Sequence, residues 1–209
     1  MSLCLCVRKK GIAMGYLSGL QEYLDKAYNI SIFDQALASN QPWQMHIHSH
    51  RIIKVRILEN LKYDLSLNID GAGDEILPKT HVKLLYPEDL AGSVTPLVKT
   101  DKKVRDLALE PIPSPRNRYH IKNKSLFPLM EEKTVVFFTL LEGEIIKGIV
   151  AGFSRYEITV NLKGGIPVTI LRHSIYDLRD KKGRCFMKSF QETHRDWEKS
   201  PLFVSSPEK

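Results

Sequence analysis

Apolar and polar positions alternate along two stretches of the chain, the pattern of half-buried β-strands. In the first stretch, Ile53, Val55 and Ile57 alternate with basic side chains. This stretch, "IIKVRILENLKYDLSLNI", begins at Ile52, and a second one, "IIKGIVAGFSRYEITVNL", begins at Ile145. The two align without a gap, 93 positions apart. The chain therefore contains an internal repeat.

Each copy of the repeat reads as a series of short strands separated by tight turns. The turn sequences are "DGAGDE" in the first copy and "EGE" and "KGG" in the second. Gly148 and Gly152 lie inside a strand pattern, where glycine marks a sharp bend or a close backbone approach. We therefore predict a mainly β fold with some α-helix, built as two tandem five-stranded barrels near residues 41–87 and 133–179.

Helical spacing of apolar residues flanks the strand-rich stretches. It predicts a helix over 18–28, a shorter one over 33–38, about two turns in "SLFPLMEEK" and a terminal helix in "CFMKSFQETHRDWEKS". The predicted organisation is an N-terminal helical segment (1–40), a first barrel (41–92), a linker (93–124), a second barrel (125–180) and a C-terminal helix and tail (181–209).

The linker carries most of the charge excess. Residues 93–124 hold eight Lys or Arg against three Asp or Glu, and the whole chain has a net charge of +7. Pro111, Pro113 and Pro115 occupy alternate positions and disfavour helix and sheet interiors. We interpret this segment as extended and partly flexible. Two roles remain open for it, a solvated spacer and a basic strap that touches phosphates.

Composition sets wide bounds. The pI near 9.2 mildly favours an anionic partner. Three cysteines, Cys4, Cys6 and Cys185, give no disulfide framework, which points to a reducing, cytoplasmic setting. The opening "MSLCLCVRKKG" reverses the order of a secretory signal, and no apolar run is long enough to cross a membrane. Phosphate-loop and nucleophile-elbow motifs are absent from the sequence, so we expect no enzyme and no cofactor.

Three closely spaced histidines are a candidate metal site. In "HIHSH", His46, His48 and His50 stand at alternate positions and could face one side of a strand as a zinc set. However, His50 aligns with the turn glycine Gly143 of the second copy, so the three are not expected to share a regular strand. We therefore predict no metal site.

The second copy resembles a known family. The residues that carry the likeness are Gly143 in the first turn, Gly148 in the second strand, "FSRY" from Phe153 to Tyr156, and "RHSI" from Arg172 to Ile175. Together and in this order they are similar to the Sm-like family, in particular to the bacterial RNA chaperone Hfq. The likeness covers about a quarter of the chain, residues 126–179. Through the repeat, the first copy is interpreted as a more divergent member.

The resemblance implies single-stranded RNA binding on rings of six or seven barrels, with uridine-rich ends held between neighbours. Tyr156 would stack on a base, Arg172 and His173 would hold base and phosphate, and Arg155 would take the place of a family glutamine. In the first copy we align Lys62 and Tyr63 with this site, and His81 with His173 by allowing one residue fewer in the turn. Three tandem chains would make a homo-oligomeric six-barrel ring.

Two other function classes remain open. The family's second RNA face has an aromatic residue where this chain has Thr139 and His46, and its basic rim is replaced by Glu131 and Glu132. These differences favour a scaffold that has kept the fold and binds protein partners. The third class is a DNA-binding or nucleoid-associated protein, for which only the net charge argues. The leading prediction is a post-transcriptional regulator that binds U-rich single-stranded RNA.

Overall fold

The computed structural model describes residues 15–205, so Cys4 and Cys6 lie outside the described part. The strands are β1 (Gly15–Leu17), β2 (Trp43–Ile47), β3 (Arg51–Asn60), β4 (Asp64–Ile69), β5 (Gly73–Pro78), β6 (Val82–Pro87), β7 (Lys99–Thr100), β8 (Val135–Leu140), β9 (Glu144–Phe153), β10 (Glu157–Asn161), β11 (Pro167–Leu171), β12 (Ile175–Asp180) and β13 (Phe203–Ser205). The helices are α1 (Leu20–Ala27), α2 (Ile32–Ser39), α3 (Ala91–Val94), α4 (Lys102–Arg105), α5 (Asn123–Glu131) and α6 (Lys188–His194). None of these helices is long and apolar enough to span a bilayer.

Ten of the strands follow one another in a single antiparallel sheet. Their order is β12-β8-β9-β10-β11-β6-β2-β3-β4-β5, so β2–β6 and β8–β12 have the same internal arrangement. The 93-residue spacing recurs in the structure: β3 begins at Arg51 and β9 at Glu144, and β6 begins at Val82 and β12 at Ile175. The prediction of a mainly β fold with some helix is confirmed. We call β2–β6 the first half and β8–β12 the second half.

The structure does not show two closed barrels. Instead, β11 of the second half pairs with β6 of the first, Thr169 opposite Leu85 and Ile170 opposite Leu84, which makes the sheet continuous. The outermost strands of this sheet are β12 and β5. A closed barrel within either half would require its fourth and fifth strands to pair with each other. Here the fourth strand of the second half, β11, pairs with the fifth strand of the first half, β6.

Each half has its own apolar core, and the two cores exchange residues across the β11–β6 pairing. Leu171 of β11 lies in the core of the first half, whereas Leu84 and Tyr86 of β6 lie in the core of the second. These side chains are at most 1% exposed. Separating the halves would expose them to water, at roughly 1.5 to 3 kcal/mol for each large apolar side chain. The halves therefore stabilise each other.

The predicted helices are present around the sheet. α2 and α5 precede the two halves at nearly the repeat spacing, and α5 contains Pro128 in its interior. α1 packs on the second half, where the Tyr23 ring lies 4.7 Å from that of Phe153. The terminal helix α6 is shorter than predicted, because Arg195 adopts a positive φ of 41° that ends it.

The linker is attached to the second half along its course. β7 pairs with β9, and the Asp101 N–H donates to the Gly143 carbonyl at 2.7 Å. Gly143 has a φ of 88°, and a Cβ there would lie 2.5 Å from the Asp101 carbonyl oxygen, so this contact requires glycine. Further along, Arg118 donates to the carbonyls of Ile112 and Pro113. The predicted extended, partly flexible linker is thus replaced by an anchored strap, residues 99–124.

A buried ion-pair cluster joins the halves beside β6. The Lys83 side chain is 0% exposed and its ammonium donates to Glu142 and Glu144 from the second half. Glu142 also accepts hydrogen bonds from the Ser49 and His50 N–H groups of the β2–β3 turn, at 2.7 and 3.1 Å. Burial opposes ionisation of Glu142, but Lys83 and these two N–H groups outweigh it and lower the carboxyl pKa. We call Lys83, Glu142 and Glu144 the lock.

Removing the cation of the lock should be costly. In Lys83→Ala two largely buried carboxylates lose their counter-charge, which we expect to lower the free energy of unfolding by about 3 to 5 kcal/mol. Urea denaturation measures this loss. Lys182→Ala, at an exposed lysine, serves as the control and should change stability by less than about 0.5 kcal/mol. Similar losses in the two variants would mean that the lock does not stabilise the fold.

Candidate nucleic-acid interface

A cleft of about 820 Å³ opens on the second half between α1, the strap and the turns that follow β9 and β11. It contains four of the predicted site residues, Arg155, Tyr156, Arg172 and His173. Its lining also includes basic and aromatic residues that the sequence did not assign to the site: Tyr28, Arg118, Tyr119, His120, Lys122 and Lys124. Among the described residues that line it, none is Asp or Glu.

The turn that carries Tyr156 is held from both sides. The Tyr23 hydroxyl accepts from the Phe153 N–H at 2.6 Å, and the Arg155 N–H donates to the Tyr28 carbonyl at 2.9 Å. Glu157, just beyond the turn, accepts from the Ile32 N–H at 2.9 Å. These contacts fix the backbone while the Tyr156 ring stays 58% exposed.

An exposed aromatic ring on a fixed backbone suits stacking, because little conformational freedom is lost when a planar ligand binds. The Arg155 guanidinium lies 5.3 Å from the centre of the Tyr156 ring, within cation–π range. Arg155 and Tyr156 together therefore offer a flat surface with a positive charge beside it. This combination fits a base attached to a phosphate.

Arg172 forms the inner wall of the cleft. Its guanidinium donates to the Asn123 side-chain oxygen at 3.0 Å and to the Ile121 carbonyl at 3.4 Å, while its buried Nε has no partner within the described residues. Burial lowers the pKa of Arg172 to about 10, so it stays charged at neutral pH. A buried cation whose partners are all neutral favours an anion in the cleft.

His173 has a different electrostatic character. Burial lowers its pKa to about 4, so the ring is neutral at pH 7. Its Nε2 lies 2.8 Å from the Val82 carbonyl oxygen. Because a carbonyl oxygen can only accept, the neutral ring carries its proton on Nε2, and Nδ1 is left as an acceptor. His173 therefore belongs to the cleft as a neutral hydrogen-bonding group rather than as a second cation.

The first half repeats part of this arrangement. Tyr63 is 70% exposed and the Lys62 ammonium lies 5.1 Å from its ring centre, which repeats the Arg155–Tyr156 arrangement. However, Lys79, which takes the place of Arg172 in the repeat, is turned toward the backbone. Its ammonium donates to the carbonyls of Leu61 and Lys62.

The predicted alignment of His81 with His173 is wrong. Asp64 pairs with Pro78 as Glu157 pairs with Leu171, so the repeat runs through the turn without a missing residue. In this register Thr80 takes the place of His173. His81 takes the place of Ser174, and its ring lies 6.2 Å from that of His48 near the junction of the halves. Histidine is a rare residue, so an alignment of His81 with His173 looked convincing even though it required a shift of one position.

The histidines of "HIHSH" do not form a metal set. His46 is bonded to the Tyr86 hydroxyl at 2.9 Å, and burial lowers the pKa of both His46 and His48 to about 4. Ser49 and His50 have positive φ and form the turn after β2, so His50 is not on the strand. His50 lies near Glu142 and Glu144, but the Lys83 ammonium already occupies the space between those carboxylates.

Protonation of Glu157 should couple the site's supporting contacts to pH. Burial raises its pKa to about 7, although hydrogen bonds from Ile32, Ser154 and Ser31 oppose the shift. The folded chain therefore binds more protons than the unfolded chain between about pH 4.5 and 7, and the stability from this group falls as pH rises through that window. Relative to Glu157→Gln, the wild type should lose up to about 3 kcal/mol from pH 5 to pH 8.

Urea denaturation of both proteins at the two pH values measures this difference. The matched control is Glu192→Gln, which makes the same substitution at an exposed carboxyl on α6. A constant difference for Glu157→Gln would contradict the proposed environment of this carboxyl.

Comparison of the chain with protein-family models, with curated proteins and with solved structures gives no match. The likeness to the Sm-like family therefore depends on the sequence motifs of the second half and stays a prediction.

Proposed function

We propose that the chain binds single-stranded RNA in the cleft of the second half, as an Sm-like, Hfq-related protein acting in post-transcriptional regulation. The single observation that carries the proposal is the lining of that cleft. The lining of this space of about 820 Å³ includes five Lys or Arg residues and three tyrosines, and no Asp or Glu is among its described lining residues. Cations for phosphates beside rings for bases are what single strands require.

Each part of the strand has a counterpart in the cleft. Tyr156 provides the stacking surface, with Arg155 at its edge. Arg172 provides a permanent charge at the inner wall, and Lys122 provides another on the strap side. His173, neutral and with Nδ1 as an acceptor, can accept from the ring N–H of a uracil. The proposal for uridine rests on this acceptor and on the family resemblance.

A single strand fits this site better than a duplex. Stacking on Tyr156 requires an unpaired base, because the faces of paired bases are covered by their neighbours in a helix. A duplex binder working through charge alone would instead present its cations along an exposed surface. Here Arg118 is folded onto its own backbone, and the Lys124 ammonium lies 4.7 Å from the Trp197 ring centre. The strap therefore does not display all its charge to solvent.

Loss of the stacking ring should weaken RNA binding. For Tyr156→Ala we expect a loss of about 1 to 3 kcal/mol in oligo-U affinity, because one base loses its aromatic partner. Fluorescence anisotropy at fixed salt measures it. Tyr16→Ala is the matched control, since Tyr16 is also 58% exposed but lies on β1, outside the cleft lining.

Equal affinities of wild type and Tyr156→Ala would exclude the stacking role. Absence of oligo-U binding by the folded wild type would favour the alternative of a protein-interaction scaffold. Tighter binding of duplex DNA than of oligo-U would favour the DNA-binding alternative.

The charge of Arg155 should appear in the salt dependence. Removing one phosphate contact lowers the slope of log K against log salt by about 0.7 for a single strand. We expect this reduction for Arg155→Ala, measured between 50 and 200 mM salt. Arg116→Ala, at an exposed strap residue outside the cleft lining, should leave the slope unchanged. An unchanged slope for Arg155→Ala would remove Arg155 from the phosphate contacts.

A further inference from the structure

The junction of the two halves could in principle be repeated between chains. Within the chain, the outer edge of β11 pairs with the outer edge of β6. By the repeat, β5 is the counterpart of β11, and β12 is the counterpart of β6. A copy-to-copy pairing of β5 with β12 would therefore extend the sheet head to tail, and three chains could close the predicted six-barrel ring. Three independent features of the structure oppose this pairing.

First, the outer edge of β12 is already satisfied within the chain. The counterpart of Leu85, which pairs at the internal junction, is Leu178. Its N–H donates to the Asp177 carboxylate at 2.8 Å and its carbonyl accepts from the Phe186 N–H at 2.9 Å. Arg179 forms a further bridge with Cys185. A strand from another chain would have to displace these contacts.

The segment that covers this edge is itself anchored. Met187 bridges to Ile121 of the strap, and the Gln191 side chain donates to the Cys185 carbonyl at 2.8 Å. Further along, β13 pairs with β1. Because these contacts hold the covering segment at several points, its displacement would disrupt packing well beyond β12.

Second, the lock has no counterpart at the outer edges. In the repeat register, Lys83 corresponds to Tyr176, and the carboxylates Glu142 and Glu144 correspond to Ser49 and Arg51. Tyr176 packs against Tyr119 of the strap at 5.2 Å between ring centres. A head-to-tail contact would therefore lack the ion pairs that hold the internal junction.

Third, β5 is a poor receiving edge. Pro78 is the counterpart in the repeat of Leu171, the residue that enters the core of the other half at the internal junction. Proline has no N–H to donate to a neighbouring strand. In the same register as the internal junction, Asp74 would lie opposite Asp180 of the next chain, and like charges opposite each other destabilise a strand pair. Charged residues and proline on an edge strand are common devices against unwanted sheet extension.

From these features we infer that sheet growth stops within one chain, so that the protein is a monomer with a complete cleft. This replaces the expectation of a trimeric six-barrel ring. Helix α1 and the strap supply the walls of the cleft from the same chain as Tyr156. On the proposed function, one chain therefore binds one RNA strand, without a neighbouring copy.

Sedimentation equilibrium of the full chain tests the inference without RNA. We expect the monomer mass of 24.0 kDa at every concentration from about 5 to 200 μM. A mass that rises toward two or three chains would overturn the inference. Titration of a labelled U-rich oligonucleotide should then give one strand per chain. Absence of RNA binding together with a monomeric mass would refute the proposed function but leave the inference on assembly intact.

Hydrogen exchange supplies a matched internal comparison. The N–H groups of Lys79 and Arg172 donate to the carbonyls of Tyr63 and Tyr156, so both point inward, toward their own halves. Successive N–H groups of a strand point to opposite sides, and Ile76 and Thr169 each lie three residues earlier. The N–H groups of Ile76 and Thr169 therefore point outward. Thr169 faces β6, whereas Ile76 lies on the outermost strand β5 and faces no other strand of residues 15–205. We expect the Thr169 and Phe186 amides to exchange slowly and the Ile76 amide to exchange fast. Protection of Ile76 equal to that of Thr169 would mean that β5 is paired, contrary to the inference.

Discussion

The pairing of β11 with β6 is the contact on which the rest of the structure depends. It turns two copies of a five-strand motif into one sheet, and it lets Leu171 enter one core while Leu84 and Tyr86 enter the other. The lock favours the observed register, because in it Lys83 satisfies both Glu142 and Glu144. A buried ion pair adds little net stability compared with apolar packing, but a mismatched register would leave three charges buried without partners.

The same junction places the cleft. The Nε2 of His173 reaches across it to the Val82 carbonyl, which fixes the tautomer of the ring. On the other side, α1 and the strap line the space around Tyr156. The Tyr23 hydroxyl and the Tyr28 carbonyl accept hydrogen bonds from the backbone of its turn. The site therefore combines a rigid aromatic surface with charges that come from three separate parts of the chain. In an assembly built from single repeats, such walls would have to come from neighbouring copies.

Sequence periodicity predicted the strands, the repeat and most of the helices because these depend on local alternation and spacing. The family resemblance, in turn, grouped Arg155, Tyr156, Arg172 and His173 as one site. All four line the same cleft, and their role in RNA binding stays a prediction. The sequence did not predict Tyr28, Tyr119 or Lys122 as cleft residues, since their approach depends on how α1 and the strap pack. The continuous sheet and the lock were missed for the same reason. Charged residues such as Lys83 and Glu142 read as solvated in sequence, and only the junction buries them.

We propose that the cleft of the second half holds an unpaired RNA strand. Photocrosslinking of the full chain to a short oligo-U that carries 4-thiouridine, followed by mass spectrometry of the adducts, tests it most directly. We expect adducts on Tyr156 and on strap residues of the cleft, such as Tyr119, and we expect them to disappear when unlabelled oligo-U competes. Adducts concentrated on Tyr63 or Tyr16, which lie outside the cleft lining, would contradict it.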